Sequence, residues 1–78
     1  MNDFTGVLQA ITGAAARIEA GTFSHDDFAE YQRLQRSITE GREGGTFGGA
    51  EAAALRSVYY CVKERAREAL GLDTIYEG

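Results

Sequence analysis

The run GREGGTFGGAE, residues 41–51, decides how this chain folds. It holds five glycines between Gly41 and Gly49, and its Gly45-Thr46-Phe47 triplet repeats the earlier Gly21-Thr22-Phe23. Such a run either cradles a ligand or turns the chain between helices. A phosphate-binding loop needs inward-turned backbone N–H groups and, in the Walker type, a closing Lys-Ser/Thr pair. Ala50-Glu51 follow here instead, and a carboxylate beside a phosphate is unfavourable. A dinucleotide fingerprint needs a strand before it, and no strand-like alternation of Val, Ile and Thr precedes this run. The run therefore reads as a connector. In the first triplet Gly21 ends one helix, Thr22 crosses, and Phe23 pins the next. In the second, Phe47 takes the same part ahead of Gly48 or Gly49 as cap, and the competing role for Phe47 is a knob presented to a partner.

Outward from these connectors, three segments carry apolar residues at three- and four-residue steps. The first spans about residues 3–20, with Phe4, Val7, Leu8, Ile11, Ala15 and Ile18 in its stripe. Asn2 or Asp3 caps its start, and Gly21 stands where a left-handed terminal residue is wanted. Gly6 and Gly13 each cost about 1 kcal/mol against Ala inside a helix. Both share a face with Ala10, which suggests tight packing against a neighbouring helix. The second segment spans about residues 25–39. Ser24 is a good N-cap, Asp26 and Asp27 favour the positive helix start, and Phe23 and Phe28 occupy the two positions of a hydrophobic staple. Its stripe is Phe28, Tyr31, Leu34 and Ile38, and Gly41 is expected to end it, leaving a loop over 41–49. The third segment, about residues 50–70, carries Leu55, Val58, Tyr59, Val62, Ala66, Ala69 and Leu70, and Gly71-Leu72 fits a Schellman ending. The tail DTIYEG either docks through Ile75 and Tyr76 or frays. The expected architecture is all-α: one domain over residues 1–78, a three-helix bundle made of a helical hairpin plus one long C-terminal helix.

A chain of 78 residues makes one small domain. It buries roughly 60% of the surface its unfolded form exposes, so little stability is left over and self-association as a homodimer is a fair expectation. Tyr31, Tyr59, Tyr60, Phe47 and Tyr76 are the aromatics expected to stay partly exposed for such contacts. The single cysteine, Cys61, and the lack of a basic-then-apolar leader run give no sign of a disulfide scaffold or signal peptide. No apolar run approaches the roughly 20 residues of a membrane span. The expected setting is the reducing cytoplasm of a bacterial or phage-infected cell. Seven Arg against one Lys, with abundant Ala and Gly, is the usage of a GC-rich bacterial or phage genome.

Twelve acids against eight bases leave a formal charge of −4. This weighs against direct nucleic-acid binding, which needs a basic footprint. His25, Asp26 and Asp27 are consecutive, so on a helix they point in different directions and make a poor metal set. Capping accounts for all three. Cys61 becomes a nucleophile only beside His25 in space, with no orienting group evident, and reads as a structural thiol at the core edge. No catalytic, cofactor-binding or metal-binding residue is assigned, and no enzyme activity or cofactor is expected.

Two surface patterns remain. Arg56, Tyr60, Lys63 and Arg67, at steps of four, three and four, form one stripe of the third helix, and Ser57, Cys61, Glu64 and Glu68 form the next. The basic stripe suits phosphates or an acidic partner, against the plainer reading of snorkelling stems and weak surface ion pairs. Asp26, Asp27 and Glu30 gather at one end of the second helix. With Glu40, Glu43 and Glu51 near the loop they suggest an acidic surface fit for a basic groove, against the plainer reading of a solvated face interspersed with Arg33, Arg36 and Arg42.

In size and make-up the chain resembles the small phage- and prophage-encoded anti-defence proteins, such as anti-CRISPR proteins. That resemblance implies an inhibitor whose partner is a CRISPR effector complex with basic channels. The residues themselves point to a small acidic, non-enzymatic interaction module, an inhibitor or adaptor docking on a larger protein complex. Its candidate contacts are Asp26, Asp27, Glu30, Glu43, Phe47, Arg56, Tyr60, Lys63 and Arg67. The alternative is a nucleic-acid or nucleotide binder using Arg56, Tyr60, Lys63 and Arg67.

Overall fold

A computed structural model gives the fold and describes residues 3–72. Three helices, α1 (Phe4–Ala20), α2 (His25–Glu43) and α3 (Gly49–Ala69), form a bundle in which each packs on the other two. No strand occurs among the described residues. The all-α three-helix reading holds, with the longest helix last.

The starts follow the capping chemistry. The Asp3 carboxylate accepts from the Gly6 N–H at 2.8 Å. Ser24 and Asp27 form a reciprocal capping box: Ser24 Oγ accepts from the Asp27 N–H at 3.2 Å, and Asp27 Oδ2 accepts from the Ser24 N–H at 3.0 Å. Phe23 and Phe28 meet edge to face with centroids 6.4 Å apart, which is the staple. Gly48 caps α3 without a side chain, and Glu51 supplies the return bond, its Oε1 accepting from the Gly48 N–H at 3.0 Å.

The two GTF triplets turn out to be one device used twice. Gly21 and Gly45 are left-handed, at φ 76° and 79°. The threonine that follows closes the helix end: the Thr22 N–H donates to the Arg17 carbonyl at 3.0 Å, and the Thr46 N–H to the Gly41 carbonyl at 2.8 Å. This is the six-to-one bond of a Schellman motif. The phenylalanine then drops into the core, with Phe23 at 9% exposure and Phe47 at 4%. Gly71-Leu72 repeats the closure on α3, where the Leu72 N–H reaches the Arg67 carbonyl at 2.8 Å.

One continuous core fills the space between the helices. Val7, Ile11 and Ala14 come from α1, Tyr31 and Ile38 from α2, and Ala52, Leu55, Tyr59, Val62 and Ala66 from α3, with Phe23 and Phe47 sealing the two connector ends. Apart from Tyr31 and Tyr59, no polar or charged residue is buried among the described residues.

Several expectations are corrected. Gly41 does not end α2; the helix continues to Glu43, and the connector shrinks to residues 44–48. Gly41 lies three residues past Ile38 on the core-facing side and is buried. Burial of that side outweighs the propensity cost of about 1 kcal/mol for a helical glycine. Tyr31 and Tyr59, expected to be partly exposed, are 3% and 0% exposed. Val58, placed in the apolar stripe, is 40% exposed, because the buried stripe of α3 runs through Ala52, Leu55, Tyr59, Val62 and Ala66 and leaves Val58 at its margin. Gly13 does not mark a tight helix contact: a Cβ there would meet only the Arg17 guanidinium, at 3.9 Å. The contacts proposed for Ile75 and Tyr76 lie outside the described residues.

Candidate functional site

The α2–α3 junction is organised by a stack of tyrosines. Tyr31 and Tyr59 lie ring on ring, centroids 4.8 Å apart and planes 7° from parallel. The Tyr31 hydroxyl donates to the Tyr59 carbonyl at 2.7 Å, and the Tyr59 hydroxyl to the Gln32 carbonyl at 3.4 Å. Each buried phenol thus finds an acceptor on the facing helix, as a buried hydroxyl requires. Burial holds both phenols neutral. It pushes Tyr59 up to about 12, with the neighbouring Tyr60 adding to the effect. It raises Tyr31 well above the ordinary phenol range, aided by Tyr59 and Cys61.

Tyr60 continues this stack to the surface. Its ring meets Tyr59 edge to face at 5.0 Å, and its hydroxyl accepts from Gln35 Nε2 at 2.8 Å. The Lys63 ammonium sits 5.8 Å from both the Tyr59 and the Tyr60 ring centroids, a distance suited to cation–π attraction. Tyr60 nonetheless stays 44% exposed. It is a surface aromatic fixed on three sides, which lowers the entropy lost when it docks.

Helical geometry places Arg56, Lys63 and Arg67 beside Tyr60 on this edge of α3. On α2, helical spacing puts Phe28, Gln32, Thr39 and Arg42 on the same side as Gln35, which bonds the Tyr60 hydroxyl. Arg42 lies against Gly49, where a Cβ would come within 3.4 Å of its guanidinium. None of these residues is acidic. Two ion pairs tie α1 to its neighbours: Arg17 with Asp27 at 3.7 Å, and Arg65 with Glu19 at 3.6 Å. A shallow, open depression along α2 is lined by Gln32, Arg33, Gln35, Arg36, Ser37 and Thr39 and adjoins the same edge.

Tyr60 and the basic candidates Arg56, Lys63 and Arg67 therefore lie on one edge of α3, whereas the acidic candidates do not form one surface. Asp27 is committed to the capping box and to Arg17. Asp26 and Glu30 are exposed near the start of α2, and Glu43 is exposed at its end, about 25 Å along the axis from Asp26 at 1.5 Å per residue. Phe47, read as a candidate contact, is a core anchor and presents nothing to a partner. Cys61 and His25 are exposed. No group of three or more His, Cys, Asp or Glu gathers among the described residues. Nor is any helix among them long and apolar enough to cross a membrane.

Sequence reasoning missed Gln35, which holds the Tyr60 hydroxyl. The signal was available: Phe28, Gln35 and Arg42 follow one another at seven-residue steps and so share one face of α2. The class defined by fold and surface is a three-helix bundle with a fixed aromatic on a basic edge. No protein-family model matches this chain, and neither does any curated protein or solved structure.

Proposed function

We propose that this chain is a small, non-enzymatic binding module that docks on a larger protein complex, as an inhibitor or adaptor, through the α2–α3 edge. The observation that carries the reading is Tyr60: an exposed aromatic held by Gln35, Tyr59 and Lys63 and flanked by Arg56 and Arg67. Tyr and Arg are the usual anchors of protein interfaces, and a pre-fixed anchor binds at lower entropic cost. Among the inhibitors, an anti-CRISPR role fits the small size and the acidic balance. The acidic surface first considered as the contact face is the weaker half of this reading, since its residues are spread over both ends of α2.

The test is affinity capture of the tagged chain from a bacterial host lysate, comparing wild type with Tyr60→Ala by quantitative mass spectrometry at low and high salt. Tyr60→Ala gives up the Gln35 hydrogen bond and the ring contact with Tyr59, about 1–2 kcal/mol, so circular dichroism first checks that the variant keeps its helices at the assay temperature. A stoichiometric complex retained by wild type and lost by the variant supports docking through this edge. Equal retention by both removes the edge from the reading. A plaque assay on a host with an active CRISPR system then separates inhibitor from adaptor.

A further inference from the structure

Ala10 and Gly13 share one side of α1, and they leave that side low where it meets α2. A Cβ at Gly13 would meet only the Arg17 guanidinium, at 3.9 Å. Beside Ala10, between α1 and α2, lies a depression of about 70 Å³ lined by Ala10, Arg17, Glu30, Tyr31 and Leu34. We propose that this depression receives a lysine side chain of a protein partner, its methylene stem laid over Ala10, Tyr31 and Leu34 and its ammonium paired with Glu30. Glu30 is on the other flank of α2 from Gln35 and Tyr60, so the site does not rest on docking through that edge.

Size narrows the occupant first. A water takes up about 30 Å³ of the liquid, and a cavity that holds benzene measures about 150 Å³. The depression is too small for an aromatic ring and suits a short aliphatic chain. The floor agrees with that. Ala10 brings a methyl group, Leu34 is half-buried, and Tyr31 is buried with its hydroxyl turned to the Tyr59 carbonyl. Charge then selects among the aliphatic chains. Arg17 is held by Asp27 at 3.7 Å. Arg33, three residues past Glu30, lines the separate depression along α2. Glu30 is exposed and pairs with no cation among the described residues. Nor does Asp26, one turn earlier on the same side of the helix. Arg17 therefore stands against three carboxylates, Asp26, Asp27 and Glu30, and the rim keeps an excess of negative charge. A leucine or valine fills the floor and leaves Glu30 unpaired. A lysine covers apolar surface with its stem while its charged end stays at the water-facing acid. Of the two cationic side chains it has the longer methylene stem and the more compact head.

The probe is the peptide acetyl-Gly-Lys-Gly-amide, titrated into the isotope-labelled chain and followed by amide chemical shifts. Two control peptides replace the lysine. Norleucine keeps the stem and loses the charge, and diaminopropionate keeps the charge and loses most of the stem. We expect the lysine peptide to shift the amides of Ala10, Gly13, Tyr31 and Leu34, and each control to bind at least about threefold more weakly. Glu30→Gln should weaken the lysine peptide about two- to fivefold. Ala10→Leu, at an exposed position, should fill the depression and abolish the shifts, once circular dichroism has checked that the variant keeps its helices. Tyr60→Ala should leave them in place. Absence of shifts, shifts confined to other faces, either control binding as tightly as lysine, unchanged binding by Glu30→Gln, or shifts that survive Ala10→Leu each overturns the proposal. Loss of the shifts in Tyr60→Ala overturns it too, by moving the lysine to the α2–α3 edge.

Discussion

Gly13→Ala and Gly45→Ala are the same chemical change made on two backbones, and they should move stability in opposite directions. Gly45 sits at φ 79°, and a Cβ built there meets nothing within 4 Å. The penalty is then the backbone alone, about 1–2 kcal/mol for a left-handed residue with a side chain. Restricting the unfolded chain returns about 0.4–1 kcal/mol. The net loss is about 1 kcal/mol. Gly13 lies inside α1 with no positive φ, and a Cβ there touches only Arg17 at 3.9 Å. Its substitution should gain about 1 kcal/mol from helix propensity. At this chain length, 1 kcal/mol moves Tm by about 4–8 °C, so the two variants should melt roughly 8–16 °C apart. Thermal and urea unfolding followed by far-ultraviolet circular dichroism measure both. Gly21→Ala, at φ 76° and equally open, should follow Gly45→Ala. A Gly45→Ala protein that melts above wild type would refute the connector reasoning. A Gly13→Ala protein that melts well below it would show that Gly6, Ala10 and Gly13 do form a tight contact face.

Two further stability predictions follow from the core. Phe47→Ala should lose about 3–5 kcal/mol, a large share of the roughly 4–12 kcal/mol expected for a domain of this length; a urea midpoint left in place would return Phe47 to the surface. Tyr31→Phe should lose about 1–2 kcal/mol through the hydrogen bond to the Tyr59 carbonyl, and a neutral result would mean that this bond contributes nothing net. Tyr31 and Tyr59 also set an alkaline limit. Burial lifts their folded pKa values above the ordinary phenol value of 10.0, so the unfolded chain releases these protons first. Their contribution is whole below pH 10.0 and is lost as pH rises from there through about 12. Urea midpoints across that window should fall for wild type and fall less steeply for Tyr31→Phe; parallel slopes would argue against a buried, neutral Tyr31.

Helix number, type and starts were written locally. Ser24, Asp27, Phe23 and Phe28 interact within one turn of each other, and Gly21 and Gly71 act on the chain next to them, so neighbouring residues suffice to read them. The end of α2 was not local. Gly41 looks like a stop in isolation, and it stays helical because its side of α2 is buried in the bundle. The tyrosines show the same division. Sequence places Tyr59 and Tyr60 side by side, one step apart on the wheel, and both read as aromatics able to reach the surface. The apolar stripe of α3 already holds Tyr59, but it is the position of α2 that stacks it on Tyr31 and bonds Tyr60 to Gln35 across 25 residues of chain. The basic stripe on α3 is periodic and could be read from spacing. That it faces an edge of α2 bearing Gln35 and Arg42, while the acids of α2 fall at separate ends or on other faces, depends on how the two helices are rotated against each other. That rotation is set by the shared core, and so the surface it creates is a property of the packed bundle.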